Sequence, residues 1–310
     1  MLWKTEYEQE MQLVFNEAEA RIGAYPASLN ELGLNYLKAF NPLNPAGTKN
    51  YICYLLPYWM EPITQLQPEH YRKLSLANVF VMLYFFIQDD LMDTAPEDWK
   101  NQLALGNLFQ LSMLELYQSL FHHQSPFWSY YRTYVTEWSI AVSSENTGYS
   151  HPIDMQQLAL KASPVKLAST GALLLAGKLE LEQETTCAID LTLATLQLSD
   201  DYSDWEEDFA LNTANSLLNM IALEQQSTPA VPMTIVEIKN AIYLNGALNR
   251  YAQLAAENCV LSLSLNVSIP HLNAFQAHLR DQLTIEASSI DRNKRLHLDG
   301  GFSRLLSTIR

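Results

Sequence analysis

The sequence predicts an all-α fold, a single helical domain over residues 1–310. Three observations predict the helices. Glycine is scarce, at ten in 310 residues, and long Pro-free stretches rich in Leu, Ala, Gln and Glu favour helix. Leu103, Leu105, Leu108, Leu111 and Leu114 recur mainly at three-residue spacing, which suits a helix face better than strict alternation. No Asn-Gly or Asp-Gly joins two alternating apolar runs, so the sequence carries few hairpin signals.

The elements follow in order. Asn41-Pro42-Leu43-Asn44-Pro45 is the first strong turn signal. The apolar run Val79–Ile87 then reads as a buried helix ending in an acidic cluster before Thr94-Ala95-Pro96. Pro96 to Pro126 is helical in composition, closed by the Ser125-Pro126 turn. Gly148 to Pro152 is the next break, followed by the Pro-free stretch from Pro164 to Pro229, which contains a second acidic cluster. Ser227 to Pro232 is a turn, and Pro232 to Pro270 is helical again, with Asn245-Gly246 inside a helical pattern from Asn240 to Leu248. At about 20 residues per helix and loop this makes roughly ten helices. No turn signal is long enough to link independent domains, so one domain over 1–310 is expected.

Composition narrows the function. Hydrophobic residues at 48% and charged residues at 17% place the chain among globular proteins. Its 19 Lys+Arg against 34 Asp+Glu give a formal charge of −15, so no nucleic-acid partner is expected. The same field repels anionic ligands, so a phosphate ligand requires a divalent cation to invert it locally. Cys53, Cys187 and Cys259 form no CxxC pair, which favours a reducing, cytoplasmic compartment. The start MLWKTEYEQE lacks the pattern of a signal peptide, and Val79–Ile87 is too short an apolar run to span a bilayer. No HExxH or Glu-x-x-His occurs, which excludes zincin chemistry and a ferritin-like di-iron bundle.

Two acidic clusters carry the chemistry. Asp89-Asp90-Leu91-Met92-Asp93 follows VFVMLYFFI, and Asp200-Asp201-Tyr202-Ser203-Asp204, with Asp208 beyond it, follows LTLATLQL. On a helix Asp89 and Asp93 share a face, as do Asp200, Asp204 and Asp208. Like charges at this spacing destabilise a helix, and hard oxygen-seeking cations such as Mg²⁺ relieve the repulsion. One DDxxD in so acidic a chain is weak evidence; two, each ending an apolar helix, point to a metal–diphosphate site rather than to two solvated helix ends. The loop glycine of an EF-hand is absent from both.

These clusters make the sequence resemble the class I isoprenoid synthases, meaning trans-prenyltransferases and terpene synthases. Asp89, Asp90 and Asp93 look like the first aspartate-rich motif, with Asp200, Asp201 and Asp204 as the second. Asp208 stands where terpene synthases keep the last acid of their second metal motif. The resemblance implies a single-domain helical bundle of the class I terpenoid synthase type with a central active-site cavity, about three Mg²⁺ held by these seven acids, a prenyl diphosphate substrate, and the homodimer common in the family. Leu160-Lys161-Ala162-Ser163 is similar to the lysine helix of prenyltransferases, implying that Lys161, and less directly Lys166, contacts the diphosphate. An ammonium there can stabilise the leaving group. Arg250-Tyr251 is similar to the Arg-Tyr pair of terpene synthases, though earlier in the chain, and Arg292 and Arg295 are further diphosphate candidates.

One landmark has decayed. Ala46-Gly47-Thr48-Lys49-Asn50-Tyr51-Ile52 is similar to the Gly-Lys-x-x-Arg segment that binds isopentenyl diphosphate, but only Lys49 is basic, and Met82 stands where that site usually has His. After the second motif Asn212 to Leu218 replaces the lysine-containing stretch of elongating enzymes. The resemblance therefore implies an enzyme that ionises one diphosphate and lets the cation react with itself: a terpene synthase acting on a C15 or C20 substrate. Prenyl transfer, by elongation or head-to-head condensation, and an inactive helical partner subunit are the alternatives. Aromatic side chains would line the pocket and stabilise a cation without attacking it, with Phe85 and Trp205 the first candidates beside Tyr84, Trp138 and Tyr202.

Overall fold

The computed structural model describes residues 2–93, 96–144, 154–226 and 232–308, and among these there is no β-strand. The helices are α1 Leu2–Thr5, α2 Glu8–Gly23, α3 Leu29–Phe40, α4 Tyr51–Trp59, α5 Glu61–Thr64, α6 Pro68–Asp93, α7 Trp99–Leu120, α8 Phe127–Ser144, α9 Met155–Leu160, α10 Leu167–Ala176, α11 Glu182–Leu211, α12 Ser216–Glu224, α13 Ile235–Tyr243, α14 Ala247–Leu263 and α15 Pro270–Thr308. Short 3-10 turns at Ser163–Lys166 and Leu179–Leu181 precede α10 and α11. The all-α expectation holds, with more and shorter helices than the expected ten.

By internal contacts the chain divides into two compact units, neither of them a continuous stretch. One comprises residues 1–142, 162–189 and 266–272, and the other residues 143–161, 190–265 and 273–310.

The first unit is organised around α6. Pro68 opens this helix, where the missing N–H costs nothing. From Leu74 to Leu83 every side chain is buried, so the helix has no solvent face there, as a central core helix requires. It packs on α7 most extensively, and on α4, α2 and α10. A stretch from Pro68 to Met92 is long and apolar enough to cross a membrane, but 67% of its apolar window is buried inside the protein, which is how a core helix passes that test. Aromatic contacts close the far end of α7, where Phe121 stacks on Phe127 at 4.2 Å between ring centroids.

The core of the second unit gathers Leu158 of α9, Leu198 and Trp205 of α11, Leu217 and Ile221 of α12, Ile238 and Ile242 of α13, Leu248 and Tyr251 of α14, and Leu283 of α15. One expectation fails here. Asn245-Gly246 does not lie within a helix but separates α13 from α14, and Gly246 takes φ +72°, a left-handed conformation that glycine adopts without strain. Leu244 and Asn245 both donate backbone N–H to Asn240 O at 2.9 Å, closing α13 before the chain turns.

Candidate metal and diphosphate site

The first acidic cluster occupies the last turns of α6, in the first unit. Asp89 is partly buried and Asp90 exposed; Asp93 is the last residue of the helix and its side chain lies outside the described residues. Tyr36 of α3 donates its hydroxyl to Asp90 Oδ2 at 2.7 Å. Burial first, then that hydrogen bond and the charges of Asp90 and Asp89, push the Tyr36 phenol far above its ordinary range, so it stays a donor. One turn earlier Phe85 is buried, edge-on to Tyr84 at 4.9 Å and to Trp138 at 4.8 Å. An aromatic cluster thus precedes the acids directly on the same helix.

The segment from Ala46 to Ile52 runs into the start of α4, in the same unit. Lys49 donates its ammonium to Asn44 O. Asn50 Nδ2 and Tyr54 OH are buried without a hydrogen-bond partner among the described residues, and Met82 is buried.

The second cluster lies on α11, in the second unit, and its four acids fall into two pairs. Asp201 is 5% exposed and fully engaged: Oδ2 accepts the backbone N–H of Ser216 at 2.8 Å and the Ser216 hydroxyl, and Oδ1 accepts Gln197 Nε2 at 2.7 Å. Asp208 accepts Thr213 Oγ1 on Oδ1 at 2.8 Å and Asn215 Nδ2 on Oδ2 at 2.7 Å. Asp200 and Asp204 make no side-chain hydrogen bond or ion pair among the described residues, and both reach solvent. Protein nevertheless surrounds Asp200 densely enough that lost hydration, then the charges of Asp201 and Asp204, push its carboxyl up to about 7. Asp204 is raised too, by desolvation and then by Asp208 and Glu207. Two open oxygen donors at one helical turn, each disfavoured as an anion by its surroundings, fit a hard divalent cation.

The basic candidates are placed unequally. Lys161 caps α9, and its charge is near enough to draw the Asp201 carboxyl down against the larger opposing effect of burial. Lys166 is 1% exposed, holds Glu137 Oε2 at 3.0 Å and lies 4.8 Å from the Tyr134 ring centroid. Arg250 forks onto Glu224, with Nε to Oε1 at 2.7 Å and Nη2 to Oε2, and donates to Asn245 O at 2.9 Å. Arg292 and Arg295 are exposed on α15 and line a groove of about 370 Å³ with Ser288, Asp291 and Leu296. Trp205 is 4% exposed in the core of the second unit, with Lys239 Nζ 5.9 Å from its ring centroid.

Sequence reasoning missed Thr213, Asn215, Ser216 and Gln197, which hold the second cluster. The available signal was Asn215 directly before an apolar run, an N-cap pattern: its side chain accepts Leu218 N–H at 3.1 Å. Among the described residues no three His, Cys, Asp or Glu side chains converge as a preformed metal centre. No family model matches the chain, and no curated protein matches it.

Proposed function

We propose that the chain is a Mg²⁺-dependent terpene synthase built on a helical bundle of the class I terpenoid synthase type, with a central cavity. It would ionise a linear C15 or C20 prenyl diphosphate and cyclise or quench the resulting cation, releasing diphosphate in a reducing, cytoplasmic compartment. The observation that carries this reading is the pair of aspartate clusters ending the apolar stretches of α6 and α11, one of which keeps Asp200 and Asp204 open. Mg²⁺ usually keeps several waters and is bound through one or two carboxylates with substrate phosphates, so a complete protein cage is not needed.

The acids that would hold Mg²⁺ are Asp89, Asp90 and Asp93 on α6 and Asp200, Asp201, Asp204 and Asp208 on α11. When bound, Mg²⁺ supplies the charge that lets diphosphate depart. The chain's own residues supply the rest. Lys161 adds a cationic donor for the leaving group. Phe85, with Tyr84 and Trp138, offers apolar faces that exclude water and stabilise positive charge. The loss of basic residues at Asn50, Tyr51 and Ile52 leaves a second diphosphate without a binding site, which favours cyclisation over elongation.

The test is incubation with C10, C15 and C20 prenyl diphosphates, with and without Mg²⁺, followed by product analysis. A hydrocarbon or alcohol from one substrate alone, lost on chelation and in Asp89→Ala and Asp204→Ala, is expected. A longer diphosphate formed only when isopentenyl diphosphate is added would replace this reading with prenyl transfer. Release unchanged in both variants would reject the site.

A further inference from the structure

The turn between α13 and α14 brings an asparagine, a glycine and a guanidinium together. Asn245 is the only asparagine in the sequence that a glycine follows. It is exposed, and its side-chain amide makes no hydrogen bond among the described residues. The N–H of Gly246 likewise donates to no acceptor among the described residues. With no Cβ on Gly246, nothing shields that nitrogen from the neighbouring side chain. The oxygen of the same peptide group is held by a cation. Arg250 commits Nε and Nη2 to Glu224, which leaves Nη1 to donate to Asn245 O at 2.9 Å. A Cβ on Gly246 would stand 3.7 Å from that Nη1, so the guanidinium lies beside the peptide that joins the two residues. Lys294 donates its ammonium to Leu244 O, one peptide earlier. When a peptide N–H is lost, the negative charge is shared with the oxygen of the same group. A guanidinium on that oxygen favours the charged form and so acidifies the Gly246 N–H. Glu224 tempers the charge of the guanidinium but fixes its aim.

We propose that Asn245 is a self-modification site, where the Gly246 nitrogen attacks Asn245 Cγ and Arg250 promotes the attack. The N–Cγ bond forms as the Cγ–Nδ2 bond breaks, and the Gly246 proton leaves with Nδ2 as ammonia. The product is a cyclic imide. Water then adds to one or other imide carbonyl and opens the ring, which leaves an aspartyl or an isoaspartyl residue at position 245. Neither step is a redox step, and water is the only co-reactant. The isoaspartyl product lengthens the main chain by one methylene at a junction whose flanking Ile242, Ala247 and Leu248 are buried in the core of the second unit. The aspartyl product sets a second carboxylate beside Arg250, in competition with Glu224. The reaction needs neither metal nor prenyl diphosphate and is independent of the function proposed above.

The test is peptide mapping by mass spectrometry after the full chain is incubated, folded, at mildly alkaline pH, with the same incubation in urea as the unfolded reference. Amide loss is expected at Asn245 ahead of every other asparagine, as two products of equal mass that separate by chromatography. Arg250→Met should slow the loss about fivefold or more in the folded protein, as removal of one exposed charge-assisted hydrogen bond does, and leave the rate in urea unchanged. Hydrogen exchange at the Gly246 amide of fresh protein should slow in the same variant, because base-catalysed exchange passes through the same anion. A purely structural Arg250 predicts the reverse, since its loss would free the turn and speed both processes. Rates are compared in protein shown to be folded by circular dichroism, with Arg250→Gln in place of Arg250→Met if the latter does not fold. The proposal is overturned if folded wild type keeps Asn245 intact while other asparagines react. It is equally overturned if the arginine variant leaves amide loss and exchange unchanged or raises them.

Discussion

Ser216 donates its backbone N–H to Asp201 Oδ2 at 2.8 Å, so the first residue of α12 is fixed to a buried carboxylate 15 residues earlier on α11. Burial pushes the Asp201 carboxyl up, and the donations from Ser216 and Gln197 oppose it. The bond therefore joins two tasks, starting a helix and satisfying a buried acid.

Its energetic weight is testable. Ser216→Ala keeps the backbone donation but removes the hydroxyl from Asp201 and from Tyr251. A buried acceptor short of a donor costs about 1–3 kcal/mol. The urea midpoint should fall accordingly in Ser216→Ala and by less in Tyr251→Phe. A wild-type midpoint in Ser216→Ala would show that the network contributes no stability.

A second prediction concerns acid. Arg72 grips Glu10 through Nε and Nη2, both at 2.9 Å, and Tyr58 OH adds a bond at 3.1 Å. The Arg72 hydrogen bonds hold the Glu10 carboxyl below its ordinary value against the opposing effect of burial. A depressed folded pKa means that the folded state binds fewer protons than the unfolded chain. The contribution is therefore complete above the unfolded glutamate pKa of about 4.3 and is lost as pH falls through the folded value. Both side chains are partly exposed, so solvent screening limits it to about 1 kcal/mol. Glu10→Gln should be less stable than wild type near neutral pH, and the difference should shrink as pH falls below the unfolded glutamate value. A difference that persists or grows in acid would contradict the assignment.

How much of this was legible in the sequence depends on the range of the interaction. Helices α6 and α11 and the acids that end them follow from local apolar pattern and spacing, which need no knowledge of neighbours. The break at Gly246 was missed because the flanking Ile242, Ala247 and Leu248 continue an apolar rhythm across it, all of them buried in one core. The fate of each charged side chain was not legible at all. Arg250 meets Glu224 across 26 residues, and Lys166 meets Glu137 across 29. Only the fold decides such pairings, so a lysine or arginine placed by motif alone carries no information about its partner.

Gly47 gives a prediction in the segment similar to an isopentenyl-diphosphate site. A Cβ there would lie 2.8 Å from Asn41 O and 2.9 Å from Ala39 O, backbone atoms that cannot swing away. Thr48 N–H also donates to Ala39 O at 2.7 Å, so the loop is tied back to α3 at that point. Gly47→Ala should cost about 1–3 kcal/mol through forced backbone shifts. Urea unfolding checks this; an unchanged midpoint would mean that the loop relaxes freely.

Lys166 and Glu137 make the last prediction asymmetric. The Lys166 side chain is 2% exposed and that of Glu137 is 30% exposed. Removing one partner of a buried pair is costly chiefly for the charge left behind. Glu137→Gln removes the carboxylate that the buried Lys166 ammonium donates to and should cost more stability than Lys166→Met. Lys166→Met removes the buried charge, fills the same volume and leaves a glutamate that water can reach, so about 1 kcal/mol or less is expected. The pair also separates the two lysines read as diphosphate contacts. Under the proposed function, Lys161→Met should raise KM for a prenyl diphosphate about tenfold or more, and Lys166→Met by less than about threefold, because the Lys166 ammonium is buried on Glu137. A KM effect of Lys166→Met equal to that of Lys161→Met would mean that Lys166 leaves Glu137 for the substrate.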